Sequence, residues 1–116
     1  MFRFEKLEVW RASIVFSKNV YALLRKFPNT EQFALCDQLR RAVVSVPTNI
    51  AEGSGSDSNK DFRNFLNIAL KSLHEVVSLL AVSRENKYIQ NTEFDRLYQE
   101  AEILARRIQT LKNSLQ

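Results

Sequence analysis

Glycine and proline are almost missing from this 116-residue chain, with two of each. A sheet protein of this length needs turn punctuation at many points, so their scarcity points to a mostly helical chain. One cysteine, Cys36, excludes an intramolecular disulfide framework and fits a reducing cytoplasm. It reads as a small buried hydrophobe rather than as a reactive thiol. One histidine, His74, is too little for a zinc site, and His74-Glu75 continues Val-Val-Ser with no second histidine a turn later. No G-x-x-x-x-G-K-S/T phosphate loop occurs, and Ser54, between Gly53 and Gly55, lacks the pattern around a hydrolase nucleophile. No enzyme activity, cofactor, metal or small-molecule substrate is therefore expected. No uninterrupted apolar run approaches the roughly 18 residues of a membrane span. The start, Met-Phe-Arg-Phe-Glu, lacks an apolar signal core. The expectation is a cytoplasmic protein with no membrane contact.

What is present is apolar material at helical spacing. With 45% hydrophobic residues, the chain can fill one core, so residues 1–116 are expected to form one domain. The segment Gln38 to Gly55, QLRRAVVSVPTNIAEGSG, is the most unusual part. On a helical wheel Leu35, Leu39, Ala42, Val46 and Ile50 share one face, as a core stripe does. Arg41, Ser45, Asn49 and Glu52 form a polar stripe along its shoulder. Phe33, Val44, Pro47 and Ala51 form a further apolar stripe on the far side, interrupted by Arg40. A surface helix of a monomer needs only one apolar face. This helix reads as packed on both sides, with the second stripe assigned to an oligomer contact.

Pro47 removes a backbone donor and crowds the Val43 carbonyl, at about 3 kcal/mol inside a helix. Ser45, Thr48 or water can satisfy the freed oxygen. Ile50 stays in phase with Val46 and Leu39, which favours one kinked helix over a break near Ser45 and a restart at Pro47.

Three more helices follow from the same spacing. The first is expected from Glu5 to Lys26, with Trp10, Ile14, Ser17, Tyr21 and Leu24 as its stripe and Val9, Phe16, Val20, Leu23 and Phe27 as shoulder. Pro28 stops it, and Asn29 or Thr30, with Gln32, can cap the second. Gly53 to Ser56 is expected as the most flexible link. Ser58, with Asp61, caps the third helix. Its stripe is Phe62, Phe65, Leu66, Ala69, Leu73, Val76, Val77 and Leu80, and its shoulder is Ile68, Ser72, Glu75 and Leu79. Asn86 to Asn91 breaks the third helix, and Thr92 with Asp95 starts the fourth, whose stripe is Phe94, Leu97, Tyr98, Ala101, Leu104, Ala105, Ile108, Leu111 and Leu115. Short connections make neighbours antiparallel, so the fold class is an all-α, antiparallel, up-down-up-down four-helix bundle. Glu52 and Glu75 are too few carboxylates for a bundle metal site, and Arg41 is their economical partner as an ion pair.

The order Arg41-Ala42, Ser45, Pro47, Asn49-Ile50-Ala51-Glu52-Gly53 and Phe65-Leu66 resembles the 23S rRNA-intervening-sequence proteins of bacteria. The resemblance also takes in FEKLEVWRAS, VYALLRKFPNTEQFAL and FRNFLNIALKSLHE. That family often has Gly where Lys71 stands before Ser72, and a basic residue near Ser56. The resemblance implies a homo-oligomer, a ring of five subunits, and an association with ribosomal RNA genes, in whose inserts relatives are encoded. A related family of accessory proteins to diversity-generating retroelements has a similar bundle and is thought to bind nucleic acid and a reverse transcriptase.

The formal net charge of +4 is by itself a mildly basic solvated surface. Repeated around an axis, the same patch adds to a stronger field. The resulting expectation is a non-enzymatic, self-associating homopentamer that binds RNA or DNA through phosphates. Lys18, Arg25, Lys26, Arg40, Arg106 and Arg107 are the candidate contacts. Arg41, Ser45, Asn49, Glu52, Ser72 and Glu75 are read as motif and interface residues. A protein-interaction adaptor, for example accessory to a reverse transcriptase, is the alternative.

Overall fold

A short 3-10 turn at Arg3–Lys6 leads into α1 (Glu8–Leu24), and a second at Asn29–Glu31 precedes α2 (Leu35–Ser54). Then come α3 (Asn59–Glu85) and α4 (Asn91–Ser114). The computed structural model describes residues 1–115, and no strand occurs among them. The chain is therefore all-α, with breaks where Pro28, Gly55 and Asn86 were expected to place them.

The direction of each helix follows from cross-helix contacts. Ser17 meets Val43 and Arg3 meets Ser54, so α1 and α2 run opposite ways. Ser45 meets Ser72 and Gly53 meets Phe65, which makes α2 and α3 antiparallel. Lys112 meets Asn67 and Arg84 meets Phe94, which does the same for α3 and α4. Asn19 meets Glu100 and Glu8 meets Arg107, closing α4 onto α1. Among the described residues, the helix backbones approach closely only in these four neighbouring pairs. The result is a square, up-down-up-down bundle measuring 43 × 24 × 22 Å.

The helix ends differ from expectation in instructive ways. α1 does not start at Glu5, because Leu7 is extended and the Glu5 carbonyl takes a hydrogen bond from Arg11 at 2.7 Å. Gln32 does not cap α2. Its amide instead donates to the carbonyls of Leu24 and Phe27 at the end of α1, and α2 begins at Leu35 with no side-chain cap. Ser58 caps α3 as expected, accepting from the Asp61 N–H at 3.1 Å. α4 is capped by Gln90 and Glu93, not by Thr92 and Asp95: the Glu93 carboxylate accepts the Gln90 N–H at 2.9 Å. Gly53 and Ser54 are not a flexible link; both are helical and buried. A Cβ on Gly53 would lie 2.7 Å from Phe65 Cβ, so glycine sets the close approach of α2 to α3.

α1 needs the largest correction. Its buried side is Val9, Ser13, Phe16, Val20, Leu23 and Leu24, while Ile14 and Tyr21 are exposed. The expected shoulder is the core, because α1 is gripped from both sides. Ser17 faces α2 and Asn19 faces α4, and Phe16 and Val20 point between them. In α3, Leu70 is buried, and Phe65 and Val77 are half-buried. α3 is also long and apolar enough to cross a membrane by composition, with a mean hydropathy of 1.5 over its best window. In the bundle its apolar side meets α2 and α4, and Lys71 and Glu75 are exposed.

α2 is continuous through Pro47, so the one-helix reading holds. The carbonyl that Pro47 frees is satisfied from another helix: Ser17 Oγ donates to Val43 O at 3.3 Å. That oxygen belongs to a fully buried residue, and an unmet acceptor there is costly. Replacing Ser17 by Ala is expected to lower stability by about 1–3 kcal/mol in urea unfolding, the desolvation cost of an orphaned group.

The α3–α4 turn stores strain. Lys87 has φ 63°, its N–H bonds Arg84 O, and the Tyr88 N–H reaches back to Ser83 O. This is the helix-ending arrangement in which glycine is usual at the left-handed position. Lys87→Gly is expected to stabilise the protein by about 0.5–1 kcal/mol, read as a higher midpoint in the same denaturation.

Candidate functional site

Six cations were candidates for phosphate contact, and packing separates them into two sets. Arg40 is committed to the fold: its guanidinium donates to Gln32 O at 3.1 Å and Gln32 Oε1 at 2.6 Å. Lys26 is bound to the Glu93 carboxylate, and Arg107 pairs with Glu8 at 2.9 Å. Lys18, Arg25 and Arg106 are exposed and have no ion-pair partner among the described residues.

Lys18 and Arg25 belong to a row that sequence reading only half found. Arg11, Lys18 and Arg25 recur every seven residues and lie on the solvent side of α1. Arg11 is exposed and gives one N–H to the Glu5 carbonyl. The signal was the seven-residue step, two helical turns, with no carboxylate between them. Glu8, the single carboxylate of α1, is held by Arg107 at the margin. Across the α1–α4 seam, Arg106 and Arg107 line an open hollow of about 540 Å³ with Val9 and Ile103. Glu93 is paired with Lys26, and Glu100 accepts from the Asn19 amide at 3.1 Å, a neutral donor that leaves its charge in place against the larger number of cations here. Cations are thus left over along this side of the bundle.

The polar stripe of α2 has a different setting. Ser45 and Ser72 share a hydrogen bond of 2.8 Å across the α2–α3 seam. Asn49 donates to Ser45 O at 2.8 Å and to Ser45 Oγ at 2.9 Å. These three side chains lock two helices of one chain. The expected ion pair of Arg41 with Glu52 or Glu75 is not formed. Arg41 reaches Asp37 on its own helix at 3.1 Å, and its side chain is 80% exposed. Glu52 and Glu75 are exposed nearby on the outer surface of α2 and α3. Lys71, where relatives often carry Gly, faces solvent, and the close helix approach is made at Gly53 instead.

The far apolar stripe of α2 is also revised. Pro47 is buried inside the chain and Ala51 is half-buried, so they are not a free oligomer face. They lie on the α1 side of α2, which explains the second apolar face within one molecule. Val44 remains 42% exposed, and Phe33, which precedes α2, is 96% exposed. Sequence reading also missed Arg3, which donates to Ser54 O at 3.2 Å and lies 5.2 Å from the Phe62 ring centre, closing the end of α2.

Two further groups have shifted acidities. Burial pushes the Cys36 thiol above its ordinary value, so it is a poor nucleophile. Tyr88 donates to Glu31 Oε2 at 3.1 Å, and that bond raises the phenol's pKa. No group of three or more His, Cys, Asp or Glu with metal-binding geometry occurs among the described residues.

The family model described as 23S rRNA-intervening sequence protein matches residues 5–110. A crystal structure from Bacteroides thetaiotaomicron, of a protein with unknown function from the S23 ribosomal protein family, has the same fold. Its TM-score is 0.83 at 24% identity, covering 90% of this chain and 95% of that one. Nothing matches among curated proteins.

Glu93 joins the cap of α4 to the α1–α4 seam, and its pKa is lowered by the Gln90 N–H and then by Lys26. A folded-state pKa below the unfolded value, about 4.3 for Glu, gives stability that is present above that pH. It is lost as pH falls through the folded value. Stability is therefore expected to decline below about pH 5, and Glu93→Gln should flatten that decline in denaturation series across pH.

Proposed function

The chain belongs to the 23S rRNA-intervening sequence protein family, and from that premise we propose a non-enzymatic, self-associating helical bundle that binds RNA or DNA through backbone phosphates. The single observation that carries this reading is the row of Arg11, Lys18 and Arg25 along the solvent side of α1. Its only helical carboxylate, Glu8, is neutralised by Arg107. Row members stand about 10 Å apart, from the 1.5 Å rise per residue. Exposed cations without a carboxylate partner are free to replace condensed counterions on a phosphate backbone. A five-membered ring, which the family resemblance implies, repeats the row around an axis and strengthens the field. One exposed ring, Tyr21, stands between Lys18 and Arg25, too little for a base-stacking platform, so binding is chiefly to phosphate rather than to sequence.

The test is a fluorescence-anisotropy titration of RNA and DNA oligomers at several salt concentrations. Affinity is expected to fall with salt, with a log–log slope near −0.7 per phosphate neutralised on a single strand. Lys18→Ala with Arg25→Ala should weaken every sequence about equally and flatten the slope. Arg107→Ala, which removes a cation already paired with Glu8, should change the slope little. Absence of binding at low salt by the intact assembly would leave a protein-interaction adaptor as the better account.

A further inference from the structure

Phe33 is 96% exposed, yet the turn that carries it is tied down on both sides. Glu31 accepts from Tyr88, Gln32 donates to the end of α1, and Arg40 donates to the Gln32 carbonyl. A large aromatic side chain is thus held out into solvent on an ordered support. Nothing in its own chain explains it, since its removal would uncover no core.

A separate apolar hollow is open elsewhere on the surface. It lies between α3 and α4, encloses about 440 Å³, and is lined by Val77, Ser78, Tyr98, Ala101, Glu102 and Ala105 among others. The small residues Ser78, Ala101 and Ala105 make its depth, and Tyr98 and Val77 supply apolar surface. Glu102 is exposed and has no ion-pair partner among the described residues. The first two turns of α2, next to Phe33, present Arg41, whose guanidinium is held only by an exposed pair with Asp37. This pair lies within one helix and leaves the Arg41 side chain 80% exposed, so its remaining N–H groups can meet a second carboxylate.

We infer that copies of this chain join head to tail, with Phe33 of one seated in the α3–α4 groove of the next. Arg41 of the first copy then faces Glu102 of the second. The inference rests on the self-association proposed above and assigns its surfaces. Aromatic anchors entering pockets dominate the energetics of such contacts. Phe33 projects from the α1–α2 link and the groove lies along the α3–α4 seam, so they are two separate surfaces of one chain. Two different surfaces of one chain make a heterologous contact, which closes as a ring or continues as a filament.

The experiment uses two variants of the full chain, Phe33→Ser and Ser78→Trp, measured by light scattering after circular dichroism has shown both to be helical. Both positions are exposed, so neither change disturbs the core. The wild type is expected to assemble, and each variant alone to run near the monomer mass of 13.5 kDa. Mixed, they should give a one-to-one heterodimer, because one supplies an intact groove and the other an intact Phe33. Assembly of either variant alone to the wild-type mass would overturn the inference while leaving self-association standing. Two monomeric variants that fail to pair when mixed would also overturn it. A wild type that stays monomeric would remove the self-association reading itself.

Discussion

The bundle is arranged around the close contact of α2 with α3. Gly53 leaves no room for a Cβ against Phe65, and the Ser45–Ser72 hydrogen bond holds the same seam two turns away. With α2 pressed so closely to α3, its opposite flank, Val43 and Pro47, is left for α1 to cover. That is where Ser17 supplies the donor that Pro47 takes away. The proline is tolerated because the neighbouring helix satisfies the carbonyl it frees, at a place where water has no access. The polar residues of α2 are thus structural ties within one chain before they are anything else.

The same packing sorts the charges. Antiparallel packing brings opposite charges together across the α1–α4 seam, so Lys26, just past the end of α1, is neutralised at Glu93 of α4, and Arg107 of α4 at Glu8 of α1. Arg40 is absorbed by Gln32, whose amide is already engaged at the end of α1. The cations that remain are those pointing away from any seam, and on α1 they fall in one line. Three of the exposed cations thus share one line on α1, where phosphate is proposed to bind.

Exposed apolar residues are sorted by a similar logic. Much of the second apolar face of α2 is covered by α1, so that face alone no longer argues for a partner. Phe33 and the hollow between α3 and α4 are what intrachain packing leaves over. Single exposed hydrophobes are ordinary on a protein surface. An aromatic side chain almost wholly in solvent on a hydrogen-bonded turn is not, which is why the hollow between α3 and α4 is inferred as its seat in a neighbouring copy.

Helical class, the four elements and their breaks were legible in the sequence, because apolar spacing over long segments is a strong signal and Pro28, Gly55 and Asn86 interrupt it. Ser58 was legible as a cap because the capping bond is local, made to Asp61 three residues on. Gln32 was not, since its partners lie on a helix that ends earlier in the chain. The rotation of α1 was also hidden: periodicity gives the width of an apolar face, but the two helices gripping it decide which line is central. For the candidate site, the residue types and two members of the row, Lys18 and Arg25, were read from the sequence, while Arg11 and the seven-residue step were missed. Only the tertiary structure decided which cations are free, because an ion pair such as Glu8 with Arg107 joins residues almost a chain length apart. Local spacing by itself determines elements and faces. Partnership across seams depends on the packed bundle, where side-chain contacts are set by helix order and register.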